Sequence, residues 1–536
     1  MNMIKHFFVI TILIISAFTK QSGAQKIYQE PHRPQIHFSP KANWMNDPNG
    51  LVYYKGTYHM FFQYYPDSTV WGPNYWGHAT SKDLIHWTEW APALAPDTLG
   101  LIASGSAVAD FNNTSGFGKD GKIPLVAIFT HIGMKENKWT ENSQVQSLAY
   151  SLDEGKSWVK YANNPVIKNP GIKDFRDPKV IWYKPQSKWV MTAATGDHVT
   201  YYSSLDLKNW KKESEFGKGV GAHGGVWECP DLISFEMDGK KVWVQLVSIN
   251  PGGPNGGSAT QYFVGDFDGT TFTPFSTDTK WVDYGTDNYA GVTWSNMGNR
   301  KLFLGWMSNW QYATIVPTVR WRSAMTVPRE LKLKKLDNSY LVSSLPVKEL
   351  DKLKKNTVSL KNIAIKEQFD LSKKIKELPR QYQINLIADQ AKSFSIVLSN
   401  NLGEQVIVGY SKEENAYYIN RTKSGKTDFE KGFAKRITGP RLSKSNNLNI
   451  KLLVDVASVE LFADDGLTVM TGIFFPNKTF NTASVSSPDA LLIKELRYSE
   501  MESIWDSQFS SSKQIQSNAF DKKRNINTVV KNGSTK

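Results

Sequence analysis

Four short segments of this chain repeat one pattern: SKDLIHW (Ser81–Trp87), SLDEGKSW (Ser151–Trp158), SLDLKNW (Ser204–Trp210) and GDFDGTTF (Gly265–Phe272). Each sets an aspartate and a turn ahead of an aromatic residue, and each lies between β-rich runs such as LVAIF, WVMTAA, VWVQLVSI and KLFLGWM. The steps from Asp83 to Asp153, on to Asp206 and on to Asp268 are 70, 53 and 62 residues. That length holds one four-stranded antiparallel sheet with its loops, and a chain of such units buries their faces by radial repetition, as a β-propeller. Four visible repeats and the block that opens at Asn43 predict five blades in an all-β fold. Asp83, Asp153, Asp206 and Asp268 are read as turn residues.

The propeller is expected over residues 30–335, closing near Arg329-Glu330-Leu331, with a lysine-rich connector at 336–355. Beyond it, YQINLIA, FSIVLS, QVIVGYS, LNIKLLVD and SVELFAD alternate apolar and polar residues between polar turns, which predicts a β-sandwich over 356–498. Residues 499–536 are polar without strand periodicity, so a weakly ordered, dispensable tail is expected. At the other end, Lys5 and His6 precede the apolar run FFVITILIISAF and then Ser22-Gly23-Ala24. This is the pattern of a secretory signal peptide over 1–24, cut at Ala24/Gln25, and the run is too short to span a bilayer. A secreted or periplasmic protein without a membrane span is expected.

Cys229 is the only cysteine, which excludes an intramolecular disulfide, a lipoprotein anchor and a cysteine-rich zinc site. The formal net charge is +14, but the lysines are scattered, with concentrations at Lys332–Lys376 and in the tail. No basic helix or aromatic-basic motif accompanies them, so nucleic acid is not expected as a partner and the charge is read as a solvated surface. The glycine-rich PGGPNGGS (Pro251–Ser258) lacks the Gly-Lys-Ser/Thr ending of a phosphate loop, and neither a metal site nor a cofactor is expected.

Three carboxylates stand in unusual settings. Asp47 lies in NWMNDPNG, where Pro48 biases it towards an extended backbone ahead of a β-rich run. Asp177 lies in KDFRDPKV, after Arg176 and before Pro178; Glu228 lies in GGVWECPDL, between Trp227 and Cys229. An aromatic ring and a thiol beside a carboxyl raise its pKa and suit it to donate a proton, whereas Asn46 and Arg176 suit Asp47 and Asp177 to stay charged.

With these blocks the chain resembles glycoside hydrolase family 32, the invertase, inulinase and levanase group. The resemblance rests on WMNDPNG (Trp44–Gly50), FFQYYP (Phe61–Pro66), WGPNYWGH (Trp71–His78), SGSAV (Ser104–Val108), FRDPKV (Phe175–Val180), WECPD (Trp227–Asp231) and GWMSNWQY (Gly305–Tyr312), in the family's order. It implies a five-bladed propeller followed by a β-sandwich. It also implies a retaining hydrolase that removes terminal β-D-fructofuranosyl units from levan, inulin or sucrose. Asp47 is implied as nucleophile, Glu228 as general acid/base and Asp177 as transition-state stabiliser. Trp44, Asn46, Gln63, Trp71, Gly105, Ser106, Arg176 and Trp310 are implied as fructose-binding residues. An endo-levanase, a fructosyltransferase or a silent glycan-binding propeller would use the same scaffold, and SLDEGKSW also fits the Asp-box of sialidases. Sialidases need an arginine cluster, and Arg176 is the only arginine in the three acid blocks. Linkage preference and oligomeric state are not fixed by these residues.

Overall fold

The computed structural model describes residues 27–135, 138–375 and 378–505. The four repeats occupy one structural position, the turn between the third and fourth strands of four successive antiparallel sheets. In each, the aspartate accepts from backbone N–H groups of the turn. Asp83 Oδ1 receives Ile85 and His86 (3.0 and 2.9 Å), Asp206 Oδ1 receives Lys208 and Asn209 (2.9 and 2.8 Å), and Asp268 Oδ1 receives Thr270 and Thr271 (both 2.7 Å). Asp153 Oδ1 receives Ser157 (2.9 Å). The pattern is turn chemistry, with the acids satisfied locally.

A fifth sheet follows, and its last two strands are Arg329–Leu336 and Ser339–Pro346, joined by a two-residue turn at Asp337-Asn338. The expected propeller end at 335 and connector over 336–355 cut through this hairpin and are corrected. In RELKLKKL, Leu331 and Leu333 are buried while Lys332 and Lys335 are exposed, so an amphipathic strand reads as a polar linker. The link to the next domain is residues 347–353, a short 3₁₀ turn, before the strand Lys354–Ile365.

The first strands of the five sheets are Asn43–Tyr54, Leu101–Ala109, Phe175–Tyr183, Val226–Met237 and Tyr289–Thr293. Each packs against the next and the last packs against the first, a closed ring around one axis. A parallel pairing of Trp321–Arg322 with Asn43–Trp44 ties the late chain to the first sheet. The C-terminal domain is two six-stranded antiparallel sheets. Alternate residues of their strands meet in one apolar core, Ile384, Leu386, Leu452 and Leu461 from one sheet with Ile396, Leu398, Val408 and Val485 from the other. Among the described residues no helix is long and apolar enough to cross a membrane. The expected signal segment lies outside the described residues.

The tail expectation is corrected in part. The strand Leu491–Met501 runs past 498, and Met501, Ile504 and Trp505 are buried between the two domains. Trp505 stacks on Tyr28 (3.8 Å between ring centroids) and donates to Pro34 O (2.8 Å). Residues 506–536 lie outside the described residues. Trp505→Ala is therefore expected to cost about 3–5 kcal/mol, the range for emptying a buried aromatic site. Urea unfolding measures it, and a chain ending at Tyr498 that melts with the full-length protein would contradict this packing.

A buried ionic network joins the domains. His37, ahead of the first strand, lies between Asp455 (2.8 Å) and Glu460 (2.6 Å) of the sandwich. Arg329 bonds Asp283 (2.9 Å) and Glu460, and Arg421 bonds Asp287 (2.8 Å). Burial alone would lower the His37 pKa, but the two carboxylates outweigh it and raise it to about 9. A folded-state pKa above the unfolded value of about 6.5 gives stability that is complete below about pH 6.5 and lost as pH rises through about 9. We expect the melting temperature to fall between these values in the wild type. In His37→Gln it should start lower and change much less over that window; parallel slopes would contradict the assignment.

Candidate active site

The first strand of every sheet is broken at one level. Its register against the second strand skips between Met45 and Pro48, Ile102 and Gly105, Arg176 and Lys179, Glu228 and Asp231, and Tyr289 and Val292. Such a bulge sets two residues against one and re-aims a side chain. The five bulges hold Asn46-Asp47, Ala103-Ser104, Asp177-Pro178, Cys229-Pro230 and Ala290-Gly291, with Pro48 and Gly105 directly after the first two. Proline has no N–H to give the ladder and glycine no Cβ to crowd it, so both suit a position where pairing lapses. Asp177, Cys229 and Ala290 have φ of 60, 48 and 53°, left-handed backbone that costs a non-glycine residue about 1–3 kcal/mol. Such strain concentrates at sites where a side chain must be held in one orientation.

Asp47, Asp177 and Glu228 line one cavity of about 300 Å³, together with Asn46, Gln63, Trp71, Arg176 and Trp310. Asp47 Oδ2 accepts from the Ser104 hydroxyl (2.7 Å) and Oδ1 from Asn46 Nδ2 (2.9 Å). Asp177 Oδ2 accepts from the Cys229 N–H (3.0 Å). The Cys229 thiol lies 3.6 Å from both Asp47 and Asp177. Glu228 Oε1 accepts from Arg176 Nη2 and Nε (2.9 and 3.1 Å), and Oε2 from the Tyr289 hydroxyl. A larger cavity, about 380 Å³, surrounds the Lys179–Asp231 pair (3.1 Å) and contains none of the three acids.

Burial pushes Asp47 above the usual carboxylate range and the neighbouring Glu228 adds to this, while Ser104 and Asn46 oppose it. Asp177 is pushed up to about 7, again by burial first, with Arg176 opposing and Glu228 and Asp47 adding. Burial likewise raises the Cys229 thiol, which leaves it inert as a nucleophile. One expectation about charge and one about surroundings are corrected here. Arg176 does not hold Asp177 in the ordinary ionised range. Its short bonds go to Glu228 and to Asp174 (2.6 Å), and it stands 3.9 Å from Asp177. Nor do Trp227 and Cys229 wrap Glu228 in apolar surface. The Trp227 indole donates to Ala222 O (2.9 Å), the thiol turns to the two aspartates, and Arg176 and Tyr289 meet the glutamate's oxygens.

Five of the eight expected pocket residues line the cavity, namely Asn46, Gln63, Trp71, Arg176 and Trp310. Three stand behind it and are corrected. Trp44 is fully buried; its indole donates to Asn46 Oδ1 (2.7 Å) and its ring packs on Trp310 (5.8 Å). Ser106 donates to Pro178 O (2.9 Å) and accepts from the Val180 N–H (3.0 Å), binding one first strand to the next. At Gly105 an added Cβ would meet Ile128 O at 2.2 Å, so the residue serves close strand approach. The sequence reading misses Ser104, Asn74, Asn250 and Tyr289. The Ser104-Gly105 pair at the second bulge is the signal for the first of these.

A ring of bulged strands that gathers three carboxyls, followed by a β-sandwich, defines a propeller-type glycoside hydrolase. The chain belongs to glycosyl hydrolases family 32. The family's N-terminal domain matches residues 37–344 and its C-terminal domain residues 349–500. It is 43% identical over 519 residues to a levanase of Bacillus subtilis (strain 168), covering 94% of this chain and 75% of that one. It is 41% identical over 493 residues to the extracellular exo-inulinase of Aspergillus niger, covering 84% of this chain and 90% of the other. The crystal structure of the exo-inulinase from Aspergillus awamori superposes with a TM-score of 0.82 at 38% identity, over 89% of this chain and 100% of that one.

Proposed function

We propose that the protein is an exported, exo-acting β-fructosidase that releases fructose from the ends of fructans and from sucrose by double displacement. The observation that carries this reading is the convergence of Asp47, Asp177 and Glu228 in one cavity, in a chain whose relatives are named levanase and exo-inulinase. Asp47 attacks the anomeric C2 of the terminal fructosyl unit while Glu228 protonates the departing oxygen. Water, deprotonated by Glu228, then resolves the covalent fructosyl ester. Arg176 and Tyr289 fix the two oxygens of Glu228, and Ser104 and Asn46 fix those of Asp47, so neither carboxylate searches for its geometry during the reaction. Asp177 accepts hydrogen bonds from fructosyl hydroxyls as positive charge develops at C2. Trp71 and Trp310 offer apolar ring faces to the sugar.

The size of the cavity supports exo-action, since about 300 Å³ suits one terminal sugar and not a length of polymer. Export is supported by the N-terminal sequence pattern and by the extracellular naming of the Aspergillus relative. Incubation with levan, inulin and sucrose separately, with early products resolved by chromatography, tests the reading. Fructose as the sole early product from the polymers is expected. A ladder of fructo-oligosaccharides ahead of fructose would overturn exo-action.

A further inference from the structure

We propose that a cleft between the segment ahead of the propeller and the β-sandwich binds a compact oxyanion, a phosphate or sulfate group. The cleft measures about 290 Å³ and is lined by His32 from the N-terminal segment and by Arg380, Lys426, Asn477 and Thr479 from the sandwich. Among the described residues, no carboxylate pairs with Arg380 or Lys426 and no group hydrogen-bonds the His32 ring. His32 is only 7% exposed, and its ring, which no protein group hydrogen-bonds, lies at the wall of a polar cleft. An imidazole that no protein group takes, beside two cations without a carboxylate partner among the described residues, has the chemistry of a ligand site.

Phe475 holds these groups in place. The His32 ring meets its ring edge-on at 5.4 Å, and the Lys426 N–H donates to its carbonyl (2.8 Å). Gly425, at φ 113°, lies so close that an added Cβ would meet Phe475 O at 2.4 Å, which fixes the backbone that carries Lys426. Glu404 is the acid that acts on His32 from this side. Its oxygens are taken by the Asn477 N–H (3.0 Å), Asn477 Nδ2 (2.6 Å) and Asn400 Nδ2 (2.7 Å).

The chemistry selects the class of ligand. A guanidinium fork and an ammonium suit an anion with several acceptor oxygens. Burial first, and then Lys426 and Arg380, press the His32 pKa down to about 4, so the ring beside these cations is neutral at pH 7. An arriving anion reverses the repulsion, and the ring takes up a proton and becomes a third charged donor. Because the ligand touches both the N-terminal segment and the sandwich, it also braces the contact between domains.

The test titrates inorganic phosphate, and separately inorganic sulfate, into the full-length protein by calorimetry, with chloride holding ionic strength constant. Saturable binding is expected. An upward move of one imidazole's titration midpoint should accompany it in NMR of histidine-labelled protein, on the signal missing from His32→Gln. Both cations are exposed, so Arg380→Gln/Lys426→Gln should fold, keep its turnover on sucrose, and bind about tenfold or more weakly. A second arm replaces the free ion with dextran sulfate. Weakening by the double variant in both arms assigns the site to the free ion, and weakening with the polymer alone assigns it to a polymer-borne ester; either supports the oxyanion site. Non-saturating heats, or binding that the double variant leaves unchanged in both arms, would overturn it as diffuse attraction to a basic surface.

Discussion

Asp47→Asn should lower turnover on sucrose by about 10⁴-fold or more while leaving the fold intact. The reason lies in what the substitution keeps. The carboxamide oxygen still accepts from Ser104 or Asn46, and the side-chain volume is unchanged, so the bulge at Asn46-Asp47 keeps its shape. Lost is the negative oxygen proposed to bond to C2, and with it the proposed covalent route. Stability should not fall and can rise. Burial and the neighbouring Glu228 make the ionised Asp47 costly, and a neutral amide removes that cost. Steady-state rates with circular-dichroism melting decide this. A folded variant that keeps a tenth of wild-type turnover would show that Asp47 is not the nucleophile.

Glu228→Gln should reduce kcat on sucrose by about 10²–10⁴-fold, the usual contribution of one positioned proton donor and acceptor. In the proposed mechanism both chemical steps use this residue, so the loss should depend on the substrate. With a fructosyl fluoride, whose leaving group needs no proton, formation of the covalent ester should be nearly spared and only its hydrolysis slowed. The variant should then show a burst of fluoride followed by a slow steady state. Equal loss with sucrose and with the fluoride, and no burst, would assign Glu228 to binding and not to proton transfer.

The legible parts of this molecule are those where one residue type has a single mechanical use. The propeller is visible because four turns between third and fourth strands recruit an aspartate to collect backbone N–H groups. The fifth sheet turns at Asp337-Asn338 without an aromatic partner, and its lysine-bearing strands therefore read as a linker. Asp47 and Asp177 are visible because proline marks their bulges. Tyr289 is not, because the fifth bulge uses Ala290-Gly291, a pair with no distinctive chemistry. Ser104 and Ser106 sit two residues apart in SGSAV, and periodicity cannot choose between them. The bulge turns Ser104 to Asp47, while Ser106, beyond it, follows the regular pleat towards Pro178. Long-range electrostatics were hidden altogether. His37 meets Asp455 across 418 residues of sequence, and the elevation of Asp177 comes from burial among acids drawn from other sheets.

The central claim is that Asp47 carries the sugar through the reaction, and mass spectrometry tests it most directly. Glu228→Gln protein, mixed with β-fructosyl fluoride and quenched in acid during the slow phase, should yield one modified peptide after proteolysis. It should contain Asp47 and carry a single fructosyl unit, and it should be missing when Asp47→Asn is added. A fructosyl unit on Asp177, or a full burst without any modified peptide, would contradict the account.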